Sequence, residues 1–212
     1  MPNPNDSLQR RSRRNTDALR SQILDAASEL FLRDGYANTS VDAVIAKVGG
    51  SKRAIYSHFG GKEDLFAAMI ADLSEQALVA IEPEERAGDD VRHELIRAAR
   101  AIMGILMDPR TIALYRVVIA ESGRMPGLAE TFLQSGPGRA TESLARLLRH
   151  YSRAGLVDVA NPREAAEHFI GMLRDESHLE VVLGVRKPLG ERAQRARVER
   201  VVDIFLVGVL AR

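Results

Sequence analysis

The sequence predicts an all-α protein with a small amino-terminal domain of three helices and a larger helical carboxy-terminal domain. Three observations predict it. Apolar residues return at helical spacing through every long segment, no run alternates with the period of a strand, and Gly or Pro falls between the periodic segments. With 212 residues and 45% hydrophobic content, the chain can bury one large core or two small ones.

The first helix is expected from about Thr16 to Arg33, with Leu19, Ile23, Ala26, Ala27, Leu30 and Phe31 on its buried stripe and Gly35 as its left-handed terminator. Thr39 or Ser40 caps a short second helix whose Val41, Val44, Ile45 and Val48 sit at i, i+3, i+4 and i+7. Gly49 and Gly50 then let the chain reverse, because glycine accepts positive φ without a Cβ clash. A third short helix, Ser51 to His58, keeps Ile55 and Phe59 for packing. The fourth starts at Lys62, runs to about Ile81 and buries Leu65, Phe66, Met69, Ile70 and Leu73. The polar stretch from Pro83 to Asp90 marks the domain junction, unless the junction lies along helix four itself. Further helices are expected over about 90–107, 109–122, 127–134 and 138–154. Asn161 and Pro162 then cap and open a helix running to Leu183, stopped by Gly184, and a last helix runs from near Gly190 to the end.

The second and third helices form a helix-turn-helix over about 40–59. A short exposed helix with donors on its outer face matches what a DNA major groove accepts. Arg53 suits guanine, because a guanidinium donates two bonds to O6 and N7. Ala54 can meet a thymine methyl, and Ser57 and His58 are weaker candidates. Thr39, Ser40, Ser51 and Lys52 stand near helix starts, where donors position a backbone rather than read bases; Thr39 and Ser40 can equally be caps alone. Tyr56 is out of phase with the Ile55/Phe59 face, which turns its hydroxyl to phosphate or leaves a half-buried tyrosine. Lys62 opens a helix, where the macrodipole disfavours a cation unless phosphate is near. Ahead of the first helix, Arg10, Arg11, Arg13 and Arg14 form either a solvated tail or an arm for phosphate and minor groove, Arg13 and Arg14 lying nearest the motif.

The same residues carry a family resemblance. Thr39-Ser40-Val41, Ser51-Lys52, Ile55-Tyr56, His58-Phe59, Lys62-Glu63 and Leu65-Phe66 resemble the amino-terminal domain of TetR-type (tetracycline-repressor-like) regulators over about residues 17–77. Leu114 to Glu121, Phe132 to Pro137, and Phe169 to Asp175 with His178 and Leu183-Gly184 resemble the AefR-like carboxy-terminal branch, which sets the second domain at 84–212. Two positions depart. Gly50 stands where the family places a β-branched residue, and Gly61 where it favours a capping Ser, Asp or Asn. The resemblance implies a ligand-responsive regulator, most simply a repressor, that binds a palindromic double-stranded DNA operator as a homodimer and releases it to a small-molecule effector. The alternative is an all-α dimeric module that binds a ligand or protein without touching DNA.

Candidate effector contacts are Met103, Met107, Tyr115, Phe132, Phe169 and Met172, which line an apolar pocket or belong to ordinary core. Asp175 and His178, with His168 on the same expected helix, make a polar corner of that cavity or hydrogen-bond within a core. The spacing from His168 to Asp175 is two turns, too far for one helix to converge metal ligands, so no metal is expected. From Val198 the last helix is apolar nearly all round, so it is either a central core helix or one covered by a second chain. The resemblance implies the second, with Phe169, Val198, Val201, Val202, Phe205 and Val209 at the dimer seam.

Composition narrows the function classes. Net charge is only +1, yet residues 1–62 carry ten Lys/Arg against six Asp/Glu, so the excess positive charge sits on the helix-turn-helix domain. There is no cysteine, hence no disulfide and no thiolate site. No apolar run reaches the roughly 18 residues that span a bilayer, and no apolar leader opens the chain, so a cytoplasmic protein without membrane contact is expected. No nucleotide-binding glycine loop, serine elbow or zinc-protease motif occurs, so neither enzyme activity nor a cofactor is expected.

Overall fold

The computed structural model describes residues 4–49, 52–78 and 90–209. Among them are eleven helices: α1 (Pro4–Asp34), α2 (Val41–Val48), α3 (Lys52–Phe59), α4 (Lys62–Leu78), α5 (Val91–Met107), α6 (Pro109–Glu121), α7 (Pro126–Ser135), α8 (Pro137–Arg153), α9 (Pro162–Leu173), α10 (Glu176–Val182) and α11 (Glu191–Val209). No β-sheet forms among the described residues. The chain divides into two compact units, Met1–Asp72 and Leu73–Arg212, so the division falls inside α4. Pro83, Glu84 and Glu85 lie outside the described residues.

The first unit is held by an aromatic cluster. Phe31 and Phe66, both fully buried, have ring centroids 4.8 Å apart. Tyr36 lies 5.8 Å from Phe31 and 4.9 Å from Phe66. Tyr36 reaches that position because Gly35 adopts φ 82° and donates its N–H to the Phe31 carbonyl, ending α1 as the sequence predicts. Val44, Ile55, Phe59, Leu65, Met69 and Ile70 complete this core.

In the second unit α5 packs on α11, α8 and α9, α8 packs on α9, and α11 closes over α9. Leu95, Ala99, Leu148, Ala166, Phe169, Leu173 and Val202 are fully buried at its centre. Helix starts follow local capping. Asp108 accepts from the N–H groups of Arg110 and Thr111 at 2.8 and 3.1 Å, and Asn161 accepts from Arg163 and Glu164 at 3.2 and 3.3 Å, each with Pro at the first helical position.

Two expected boundaries are corrected. α1 begins at Pro4, not near Thr16, so Arg13 and Arg14 belong to a helix rather than to an irregular arm; their side chains lie outside the described residues. Adding residues to a helix already nucleated by the Phe31 face costs little, and no Gly or Pro interrupts the stretch. The single helix expected from Asn161 to Leu183 is broken at Arg174–Asp175. Asp175 leaves the helical region (φ −73°, ψ −169°) and caps α10, its Oδ1 accepting from Ser177 N at 3.0 Å and Ser177 Oγ at 2.7 Å while ion-paired with Arg197 of α11. Burial raises the Asp175 pKa, but the Arg197 and Ser177 bonds outweigh it and hold the carboxyl below its ordinary range.

The aromatic cluster makes Phe31, like Phe66, a sensitive position of the first unit. Phe31→Ala should destabilise it by about 3–5 kcal/mol, through lost transfer energy plus a cavity, measured as a shift of the urea midpoint at constant slope.

Candidate functional site

The helix-turn-helix is built from local signals and two anchors. Ser40 caps α2, its Oγ accepting from Ala43 N at 3.1 Å, and Val44 points fully into the core. Gly49 turns the chain with φ 76°, a conformation side chains rarely adopt, and donates its N–H to Ile45 O at 2.8 Å. Gly50 and Ser51 lie outside the described residues. On α3, Ile55 and Phe59 are buried at 2% and 7% exposure, one helical turn apart. That face fixes the opposite one. Lys52, Arg53, Tyr56 and Ser57 are exposed and His58 is half-buried beside Phe59. The Ala54 side chain lies outside the described residues.

Several predicted donors already have partners within the chain. Thr39 is 3% exposed and its hydroxyl donates to Gly35 O at 2.9 Å, so it fastens the end of α1 and is no outward contact. Lys62 lies over the Tyr36 ring, its Nζ 4.2 Å from the centroid and 3.4 Å from Ala37 O; the aromatic cluster holds its charge at the start of α4. Lys52 is ion-paired with Asp42 of α2 at 2.8 Å, and this hydrogen bond raises its pKa. Arg20 of α1, which the sequence pattern did not single out, stacks its guanidinium 5.4 Å from the Phe59 ring centroid, over one anchor of α3.

The second unit contains a cavity of about 490 Å³. Its wall comes from the last turns of α4 (Leu73, Ser74, Gln76), from α5 (Arg100, Ile102, Gly104, Ile105), from α6 (Arg110, Thr111, Leu114, Tyr115), and from Phe132, Pro137, Ala140, Ile170 and Arg174. Of the expected effector contacts, it takes Tyr115 and Phe132, whose rings meet edge to face at 5.0 Å. Met103, Met107 and Phe169 are instead buried in the solid core, and Met172 packs against that core. On α5 the wall and the core are neighbouring faces: Gly104 and Ile105 face the space while Met103 and Met107 fill the interior. Asp175 is spent on its cap and on Arg197. His178 lies behind the wall, 4% exposed, with its ring 5.2 Å from Tyr115.

The expected seam residues are also corrected. Phe169, Val198, Val201, Val202 and Phe205 are at most 7% exposed within one chain, where α11 packs on α5 and α9, and Phe169 meets Phe205 edge to face at 5.0 Å. Val209 is half-buried against the same core. The apolar residues these helices leave outside are Leu179, Leu183, Ile204 and Val207, 53–87% exposed. Helical periodicity could not separate the two faces because both are apolar.

No helix among the described residues is long and apolar enough to cross a membrane, and they contain no group of three His, Cys, Asp or Glu side chains able to hold a metal.

An amino-terminal helix-turn-helix followed by a helical unit with a cavity is the architecture of a one-component regulator. Residues 93–208, more than half of the chain, match the carboxy-terminal domain of AefR-like transcriptional repressors, and residues 23–69 match the tetR family of bacterial regulatory proteins. The chain belongs to the TetR family. It is 31% identical over 152 residues to the HTH-type transcriptional regulator TcmR of Streptomyces glaucescens, covering 70% of this chain and 63% of that one. The HTH-type transcriptional regulator SrpR of Pseudomonas putida is 23% identical over 146 residues, with 68% of this chain and 65% of the relative covered. The chain thus spans just under two thirds of the length of these curated relatives. Among solved structures, the flavonoid-responsive regulator FrrA superposes with a TM-score of 0.79 at 31% identity, covering 92% of this chain and 99% of its own. A protein from Mesorhizobium loti assigned to the TetR family of regulators reaches 0.84 at 27% identity, with 92% and 98% covered.

His178, behind the cavity wall, gives the second unit a pH-dependent stability. Its Nε2 has no hydrogen-bond partner among the described residues, and burial lowers its pKa, Arg174 adding to the shift and Asp175 opposing it. The unfolded chain therefore binds this proton more readily, so the contribution to stability is complete above about pH 6.5 and declines as pH falls below it. Urea midpoints at pH 7.5 and 5.0 should differ more for the wild type than for His178→Gln.

Proposed function

We propose that the chain is an effector-responsive transcriptional repressor that binds a palindromic operator as a homodimer in the cytoplasm. The observation that carries this reading is α3. Its Ile55 and Phe59 are buried while Arg53 and Tyr56 stand clear, so the helix can enter a major groove without surrendering its packing. Arg53 is the base-reading residue. Ser40, Lys52, Tyr56 and Lys62, with Arg13 and Arg14, serve phosphates, and Ser51, Ala54, Ser57 and His58 keep the roles expected of a recognition helix. Lys52 exchanges Asp42 for a phosphate on binding, which costs little because the pair is exposed.

The effector occupies the cavity between α4, α5, α6 and α9. α4 supports the coupling, since Leu65 and Phe66 are fixed in the first unit's core and Leu73 and Ser74 line the cavity of the second. A ligand that displaces the end of α4 biases the position of its start, and a coupling of about 1–3 kcal/mol weakens operator binding about 5- to 150-fold. Dimerisation uses the faces of α10 and α11 that carry Leu179, Leu183, Ile204 and Val207. A twofold pair then presents two copies of α3 about one DNA turn, roughly 34 Å, apart.

Gel-shift titration against the DNA upstream of the chain's own gene tests the reading; no shift on any operator-length duplex, with folded dimer present, refutes it. If each subunit neutralises about four or five phosphates, log K should fall against log salt with a slope of about −7 to −9. Arg53→Ala should relax base preference, whereas Lys52→Ala should weaken all sequences evenly; equal loss from both would contradict the division of roles. Ile204→Asp combined with Val207→Asp should convert the dimer to monomer in analytical ultracentrifugation while leaving the helical circular dichroism intact.

A further inference from the structure

The cavity wall carries a charge imbalance that points to a class of ligand. Arg100, Arg110 and Arg174 reach it from α5, α6 and the end of α9, against a single carboxylate among the described residues, Asp108. That carboxylate is already engaged, since Asp108 accepts from the N–H groups of Arg110 and Thr111 as the cap of α6. Arg100 and Arg174, both exposed, have no ion-pair partner among the described residues. The remainder of the wall is mostly apolar, with the Tyr115–Phe132 edge-to-face pair at one side. All three arginines are exposed and so stand at the mouth of the cavity, where each offers a planar fork matched to a carboxylate or sulfonate.

We infer that the cavity selects organic anions with an apolar, ring-containing body: the body lies against Tyr115 and Phe132, and the acidic group meets Arg100 and Arg174. This inference rests on the reading of the cavity as the effector site. A volume of about 490 Å³ suits a body of two or three fused or linked rings. Neutral compounds of equal size would fill the same space but leave the arginines unpaired.

A matched pair of fluorescent probes tests it: anilinonaphthalene sulfonate and its uncharged counterpart, N-phenylnaphthylamine. Both are titrated into the full-length chain, into Arg100→Gln/Arg174→Gln, and into Gly104→Trp. A Cβ at Gly104 meets nothing within 4 Å, so the tryptophan fills the cavity without a backbone clash. The expected result is about tenfold tighter binding of the sulfonate, a preference that disappears in the double arginine variant, and loss of both probes in Gly104→Trp. Equal affinities, or a preference that survives the arginine substitutions, overturn the anion selectivity while the cavity reading stands. If neither probe responds to Gly104→Trp, the cavity is not a ligand site and both readings fall.

Discussion

Phe66 is the side chain on which the first unit turns. It sits on α4, is fully buried, and meets Phe31 of α1 and Tyr36 of the following turn within 5 Å, centroid to centroid. Aromatic pairs contribute about 0.5–1.5 kcal/mol beyond the area they bury, and here two of them converge on one ring. The consequences are local and chemical. Tyr36 is held where its face receives the Lys62 ammonium, and Gly35 and Thr39 are tied together by the Thr39–Gly35 hydrogen bond, which sets the start of α2. The start of α2 is thus set by residues that lie outside it.

The second unit separates two tasks that use the same kinds of residue. Its core is packed by Met103, Met107 and Phe169, while its cavity is lined by Ile105, Leu114, Tyr115, Phe132 and Ile170. A one-residue step along α5 moves a side chain from one environment to the other, because each residue advances a helix by 100°. Gly104 leaves its stretch of the α5 wall open, since a Cβ there meets nothing within 4 Å, and Gly136 lets the α7–α8 junction lie close to Ser74; a Cβ at Gly136 would lie 3.2 Å from Ser74 Oγ. Glycine here sets the distance between elements, not only the turn.

Helix limits were legible wherever the stopping signal is covalently near. Gly35, Gly49 and Gly184 adopt positive φ, Asp108 and Asn161 cap, and Pro109, Pro126, Pro137 and Pro162 open helices, all within a few residues of the position they decide. The break between α9 and α10 was not legible, since Asp175 is drawn out of the helix by Arg197, twenty-two positions away in α11. Tyr115 and Phe132 were legible as cavity residues, but Arg100, Arg110 and Arg174 were not: an arginine on an amphipathic helix looks the same in sequence whether it faces bulk water or a cavity mouth.

What the sequence determined by itself was the helical class, the helix-turn-helix and the two anchors of α3, because periodicity, caps and glycine turns act over one or two helical turns. Only the tertiary structure decided which apolar face of α11 belongs to the core, that Thr39 is a fastener and Lys62 a held charge, and which side chains enclose the cavity. Those outcomes depend on contacts between residues far apart in the chain, and a pattern read along one strand of sequence carries no term for which of two equally apolar faces meets a neighbour.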